Sequence, residues 1–391
     1  MNKKRLWFQL HGWFSLPIWL LFAFICITGT LAVVSHEITW LIHPEARAEN
    51  PQNLPAKPLP ELKAAVEKAY PGADVGLVYT MEPYLVTALS FTTKEIPSAF
   101  AYVNPYTAEI QGMSQGITLI GFLRGLHGWL LFPWQNSYSV GYYLVGAMSF
   151  VVLGALITGL VVYKKFWRSL TQPRLRKGKG ARILLGDLHR LGGVWSIWFL
   201  LIMGFTGFWY LVQGILWHNG IDIWPHEDPM KLGSVPVTES LAPTPVTLSD
   251  AMESALAAVP ELRPASINLP EHNRDYYTFS GYGDSFFFDR YSYQVKVNPW
   301  SGEVSAIRTP STMNFVQTMS HLADPLHYGT LLGPWTKAIW FIFGLILSGM
   351  SISGFMIYSK RTVKAGRSKK PVRETPSNIA PGVSEPVEGV Q

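Results

Sequence analysis

Four stretches of this chain contain no Asp, Glu, Lys or Arg: residues 12–36, 125–163, 191–221 and 338–359. Each is longer than the ~20 residues an α-helix needs to cross the hydrocarbon core of a bilayer, so four transmembrane helices are expected. Pro133 and Trp134 interrupt the second stretch and place the start of its helix near Tyr138; the other helices start near Trp13, Leu191 and Trp335. Lys3, Lys4 and Arg5 resemble the head of a signal peptide, but the apolar run after them is too long and no small-residue cleavage site follows. The first stretch therefore reads as a retained helix.

The segments between spans pattern differently. Residues 59–70 and 248–259 place apolar positions at helical spacing, and strand-like alternation follows each. Both alternating stretches contain an Asn-Pro turn, Val103-Asn104-Pro105-Tyr106 and Val297-Asn298-Pro299-Trp300, flanked by β-formers as in a hairpin. A small α+β unit, one helix on an antiparallel sheet, is expected in each segment. The chain then divides into span 1 (1–36), domain 1 with a juxtamembrane segment (37–135), span 2 (136–163), a basic loop (164–190), span 3 (191–216), domain 2 with a juxtamembrane segment (217–333), span 4 (334–359) and a tail (360–391). The tail after Pro371, rich in Pro, Ser, Gly and Glu, is expected to be disordered.

Charge orients the spans. Of 32 Lys and Arg, 19 lie in three short flanks: three at the N-terminus, nine in residues 164–190 and seven in residues 360–373, with Asp187 the one acid among them. The two long segments hold six basic residues each against nine and thirteen acids. Short basic flanks stay in the cytoplasm, so both termini are expected there and both domains outside. The formal charge of +6 thus reports topology and no nucleic-acid partner. Cys26, the single cysteine, lies within span 1, so no intramolecular disulfide is available.

The order of features repeats. Leu10-His11 and Leu188-His189 open the odd-numbered spans, and Thr28-Gly29 and Thr206-Gly207 follow at the same spacing of 17 and 18 residues. Leu126-His127 precedes Pro133-Trp134, Leu326-His327 precedes Pro334-Trp335, and the next helices carry Thr158-Gly159 and Ser353-Gly354. Both halves start on one side of the membrane, so a bundle of two parallel repeats about an axis along the membrane normal is expected.

Neutral imidazoles projecting from two sides into a helical bundle are what a six-coordinate haem iron requires. A lone interfacial histidine is more often a satisfied polar group, but four at repeated positions point to ligands. The repeat pairs His11 with His189 near one face and His127 with His327 near the other, with His36 and His321 as second-rank candidates. Arg124, Arg182 and Arg190 are placed to meet haem propionates. His43, His218, His226 and His272 read as ordinary loop residues. One difficulty attends this reading: His11 and His36 are 25 residues apart, ~37 Å along an ideal helix. Outer cofactor binding must therefore lie deeper than His36, or aromatics such as Trp19, Phe22, Trp198, Phe199 and Phe341 must bridge the gap.

The runs "FICITGTLAVVSHEITWLIHPE", "FLRGLHGWLLFP", "GDLHRLGGVWSIWFLLIMGFTG" and "LADPLHYGTLLGP" resemble the PepSY-associated transmembrane-helix family over nearly all of residues 1–360, and within it inner-membrane siderophore reductases of the FoxB type. That resemblance implies two PepSY-like periplasmic domains, two b-type haems and reduction of ferric iron in a siderophore, with hydroxamates the class in view. The ligand motif carries over onto His11, His36, His127, His189 and His327, with His321 less secure, and Gly214 stands where His36 would recur. Tyr276, Tyr277, Phe286, Phe287, Phe288, Tyr291 and Tyr293 are candidates for docking the chelate or for sheet core. No G-x-G-x-x-G run occurs, so a quinol or a cytoplasmic reductase is the expected donor. A haem-free membrane-anchored regulator of a periplasmic peptidase is the alternative. A transporter ranks last, because no span carries a charged residue in its middle.

Overall fold

The computed structural model describes residues 3–163, 166–223, 230, 231, 234–236, 238 and 241–367. His226 and the tail beyond residue 367 lie outside the described residues. Four helical stretches are long and apolar enough to cross a membrane: Arg5–Val33, Val140–Val162, Ile197–His218 and Pro334–Lys360. Span 1 consists of α1 (Lys3–Ser15) and α2 (Trp19–Val33), separated by a 3-10 turn at Leu16–Ile18. Pro17 explains the break, since its ring removes a helix hydrogen bond and crowds the preceding turn. α3 (Ser35–Ile42) continues span 1 on the far side.

Span 2 is α6 (Val140–Val162), preceded by the short α5 (Leu119–Trp129) and followed by α7 (Phe166–Thr171). Span 3 is built from α8 (Ala181–Trp195) and α9 (Ile197–His218), and span 4 is α12 (Pro334–Arg367), with α11 (Phe315–Tyr328) before it. The sequence placed span 3 from Leu191 and a loop over 164–190, but helix already begins at Ala181. Arg190 and Asp187 hid it: Arg190 bounds the apolar run, but it pairs with the buried Asp187 one helical turn before it, which Arg176 also binds.

The spans close into a ring in which α1 packs on α6, α6 on α9, α8 on α12, and α12 on α2. α5 lies against α2, and α11 lies against α9. Leu20, Phe24, Ile27, Phe150, Ile157, Phe205 and Ile342 are exposed on the outside of this ring, as lipid-facing side chains would be. Phe22, Ile25, Met148, Val152, Leu156 and Leu200 fill its interior.

Beyond the membrane, α4 (Leu59–Ala69) is followed by β1 (Asp74–Tyr79), β2 (Thr87–Thr92), β3 (Ala99–Val103) and β4 (Ile110–Ser114). α10 (Leu248–Ala258) is followed by β5 (Arg263–Asn268), β6 (Tyr277–Tyr282), β7 (Tyr293–Val297) and β8 (Val304–Arg308). The helices match the expected amphipathic segments, and both Asn-Pro turns are hairpins. Asn104 Oδ1 accepts from the backbone of Tyr106 at 2.9 Å, and Asn298 Oδ1 from Trp300 at 2.8 Å.

The two expected domains are one body. β1 pairs antiparallel with β5, giving a single eight-stranded sheet in the order β4-β3-β2-β1-β5-β6-β7-β8. Each half alone would leave a first strand with unpaired backbone groups, and the pairing removes both edges. α4 and α10 share one apolar core on the same face of the sheet, with Leu62, Val66, Phe91, Ala251, Ile267 and Phe279 almost wholly buried.

Paired histidines in the bundle

The structure brings the four repeated histidines together in two pairs. His11 on α1 and His189 on α8 have ring centres 6.2 Å apart, near the basic loop. His127 on α5 and His327 on α11 have ring centres 6.1 Å apart, near the sheet. The first pair sits on the spans themselves, and the second on the two short helices beside them.

Each ring is held through Nδ1. The Thr158 hydroxyl donates to the Gly154 carbonyl at 2.6 Å, so its oxygen accepts from His11 Nδ1–H at 3.0 Å. Ser353 repeats this for His189, donating to Met350 at 3.2 Å and accepting from Nδ1 at 3.1 Å. Thr206 donates to Ile202 at 2.6 Å and accepts from His327 Nδ1 at 2.7 Å. His127 Nδ1 donates directly to the Ile25 carbonyl at 3.1 Å. With the proton fixed on Nδ1 in all four, the lone pair is on Nε2, the tautomer that a ligating imidazole needs.

The spacing suits a metal between the rings. Two imidazole nitrogens bound at ~2 Å, with ~1 Å more from each nitrogen to its ring centre, put the ring centres ~6 Å apart. The glycines of the Thr-Gly and Ser-Gly pairs provide the seats. A Cβ on Gly29 would lie 2.7 Å from the His127 ring, and one on Gly159 or Gly354 would lie 3.4 Å from His11 or His189. A cavity of about 600 Å³ opens at the sheet-side pair, walled by Phe22, Met148, Phe199, Met203 and Trp340 with His127 and His327. An apolar pocket with a few convergent polar groups is the form that cofactor sites take. At the sheet side the residues present therefore fit a flat macrocyclic metal group such as haem, which His127 and His327 would hold; at the loop side the ring spacing and the glycine seats fit the same group.

Two helices measure the separation of the pairs. On α6, Ser149 faces Gly207 and Gly159 faces His11; on α12, Gly344 faces Thr30 and Gly354 faces His189. Both intervals are ten residues, so the two layers lie ~15 Å apart along the bundle. The ~37 Å from His11 to His36 does not apply, because the sheet-side layer sits at the level of Gly29.

His36 lines the cavity mouth but has both ring nitrogens engaged. Its Nδ1 donates to Glu82 at 3.3 Å, and Arg124 donates to its Nε2 at 3.3 Å. Lys337 from α12 joins Glu82 at 2.8 Å and Glu37 at 3.1 Å, and Tyr84 donates to Glu37 at 2.7 Å. This network, which the sequence did not reveal, ties α3, α5, α12 and the first half of the sheet together. The His36 hydrogen bond, with Lys337 behind it, holds Glu82 down at about 2 against the cost of burial, while burial lowers His36. His321 is buried, with Nδ1 on Asp289 at 2.7 Å. Asp324, beside the cavity, is pushed up to about 7 by burial and then by Asp289, against the hydrogen bond from Tyr210.

The other candidates separate cleanly. Of the expected arginines, Arg124 lines the cavity, Arg190 is bound to Asp187, and Arg182 is exposed. Tyr277 and Tyr293 belong to the sheet core, whereas Phe286 and Phe287 are exposed. Trp198 makes edge contacts with Trp340 and with Phe343, and Trp19 stacks on Phe355 at 3.9 Å.

The family model described as "PepSY-associated TM region" matches residues 8–361. An uncharacterized protein of Pseudomonas aeruginosa is 28% identical over 214 residues, which is 54% of this chain and 49% of that protein. The chain thus covers about half the length of that relative.

Proposed function

The chain belongs to the PepSY-associated transmembrane family, and from that premise we propose that it is a di-haem oxidoreductase of the bacterial inner membrane. It carries electrons from the cytoplasm to the periplasm and reduces ferric iron held in siderophores, of the FoxB type. In this reading both termini are cytoplasmic, the sheet is periplasmic and PepSY-like, and the two halves are parallel repeats. The excess of Lys and Arg on the basic-loop side supports that orientation.

The observation that carries the proposal is a pair of imidazoles at each of two levels, with ring centres about 6 Å apart and Nδ1 of all four engaged by a hydroxyl or carbonyl oxygen. His11 and His189 would hold one b-type haem, and His127 and His327 the other. Haem so bound supplies a one-electron carrier that cycles between ferric and ferrous iron. The chain's own residues do the rest. Thr158, Ser353 and Thr206, with the Ile25 carbonyl, hold the rings in the ligating tautomer; Phe22, Phe199 and Trp340 exclude water; Arg124 places positive charge on the cavity wall. Ferric iron in the docked chelate is the substrate: it gains one electron, and the ferrous ion binds hard oxygen donors more weakly and leaves. A quinol or a cytoplasmic reductase is the donor.

The test is to reduce the purified protein with dithionite, remove excess reductant, and add a ferric hydroxamate siderophore. Reoxidation of the haem spectrum, with ferrous iron trapped by a chelator, is the expected result. A haem spectrum that stays reduced would remove the siderophore from the account. A protein without a Soret band, expressed with ample haem, would instead match the peptidase-regulator reading.

A further inference from the structure

The two histidine pairs are alike in spacing and unlike in orientation. The rings of His11 and His189 are crossed at 82°, whereas those of His127 and His327 lie within 28° of parallel. The difference follows from how Nδ1 is held. On the loop side both partners are hydroxyls on span helices, Thr158 on α6 and Ser353 on α12. On the sheet side the Thr206 hydroxyl takes His327, whereas His127 donates to the backbone carbonyl of Ile25 and not to the equivalent Thr28. His127 also lies flat on Gly29, where no Cβ fits.

Resting on the di-haem reading above, we propose that these Nδ1 partners are positioning residues that make the two centres electronically different. An axial imidazole donates to iron through the π orbital perpendicular to its ring plane. Parallel rings load the same one of the two iron dπ orbitals and split the pair; crossed rings load both and leave them nearly degenerate. In the ferric state the hole occupies the upper orbital, so splitting stabilises ferric iron. Ring geometry therefore makes the sheet-side centre, the one facing the chelate, the stronger reductant of the two. Near-degeneracy gives the loop-side centre a highly anisotropic low-spin ferric signal, and splitting gives the sheet-side centre a rhombic one.

The experiment is a reductive titration of the full-length haem-loaded protein, followed by electron paramagnetic resonance. Two low-spin signals are expected, one highly anisotropic and one rhombic, with the anisotropic signal lost first. Ser353→Ala should shift only the anisotropic signal and Thr206→Ala only the rhombic one. Thr206→Ser, which keeps the acceptor oxygen, should restore the parental spectrum. Two signals of the same type, loss of the rhombic signal first, or spectra unmoved by either alanine variant would each overturn the proposal while leaving the di-haem reading in place. Absence of haem would sink both.

Discussion

The loop-side and sheet-side histidine pairs differ in what must fold before they can meet. His11 and His189 sit on helices continuous with spans 1 and 3, so the bundle alone brings them together. His127 and His327 sit on α5 and α11, which directly follow β4 and β8 of the sheet along the chain. Their positions depend on structure outside the membrane. A site built on spans inherits the stability of the bundle, and a site built on inserted helices inherits that of the domain feeding them.

The strongest way to break this comparison is to remove ligands one pair at a time. His11→Ala or His189→Ala should lose one haem and His127→Ala or His327→Ala the other, and haem counts unchanged in all four variants would reject the pairing. Weakening the sheet core sharpens the contrast further. Phe279→Ala should cost ~3–5 kcal/mol and lower occupancy at the sheet-side centre while sparing the loop-side one, as read from the two spectroscopic signals. Equal loss from both would show that the centres share one folding unit.

Smaller substitutions at the seats probe the same difference. Gly29→Ala puts a methyl 2.7 Å from the His127 ring, which must move, whereas Gly159→Ala and Gly354→Ala meet their rings at 3.4 Å. Gly29→Ala should therefore at least halve sheet-side occupancy, and the other two should change loop-side occupancy little. At the cavity mouth, Lys337→Met leaves Glu37 and Glu82 facing each other without their cation. It should loosen the first half of the sheet from the bundle by roughly 2–3 kcal/mol, seen as faster hydrogen exchange in β1 and α3.

The smallest expected effect is that of acid. Glu82 is held at about 2, below the ordinary carboxylate value of 4.5, so its contribution is complete above that ordinary value and fades only as pH falls toward 2. Exchange in α3 should thus be flat from pH 9 to 7 once corrected for intrinsic rates and should rise below pH 6.5, where His36, lowered by burial, must be protonated against the fold; Glu82→Gln should raise it throughout. A profile flat down to pH 4 would leave His36 with no part in the contact.

Much of this architecture was legible because it is local. Uninterrupted apolar runs gave the spans, helical spacing gave α4 and α10, and Asn104-Pro105 and Asn298-Pro299 gave the hairpins. The histidine pairs were legible through the repeated sequence features, which matched His11 with His189 and His127 with His327. What stayed hidden is non-local. The β1–β5 pairing joins residues about 190 positions apart and leaves no periodicity to read. The charges at Asp187 and Arg190 looked like the end of a span because they neutralise each other and Arg176, which completes the cluster, lies across a turn of the chain. Glu37, Glu82 and Lys337 lie in three separate segments, and nothing in their neighbourhoods marks them as one network. The ring partners at least had a signal, since Thr158, Ser353 and Thr206 belong to the repeated Thr-Gly and Ser-Gly pairs.

The most direct measurement is the ratio of haem to polypeptide in detergent-purified protein, by pyridine haemochromogen against quantitative amino-acid analysis. Two b-type haems per chain are predicted. A ratio of zero, after expression with ample haem, would contradict the account at its centre.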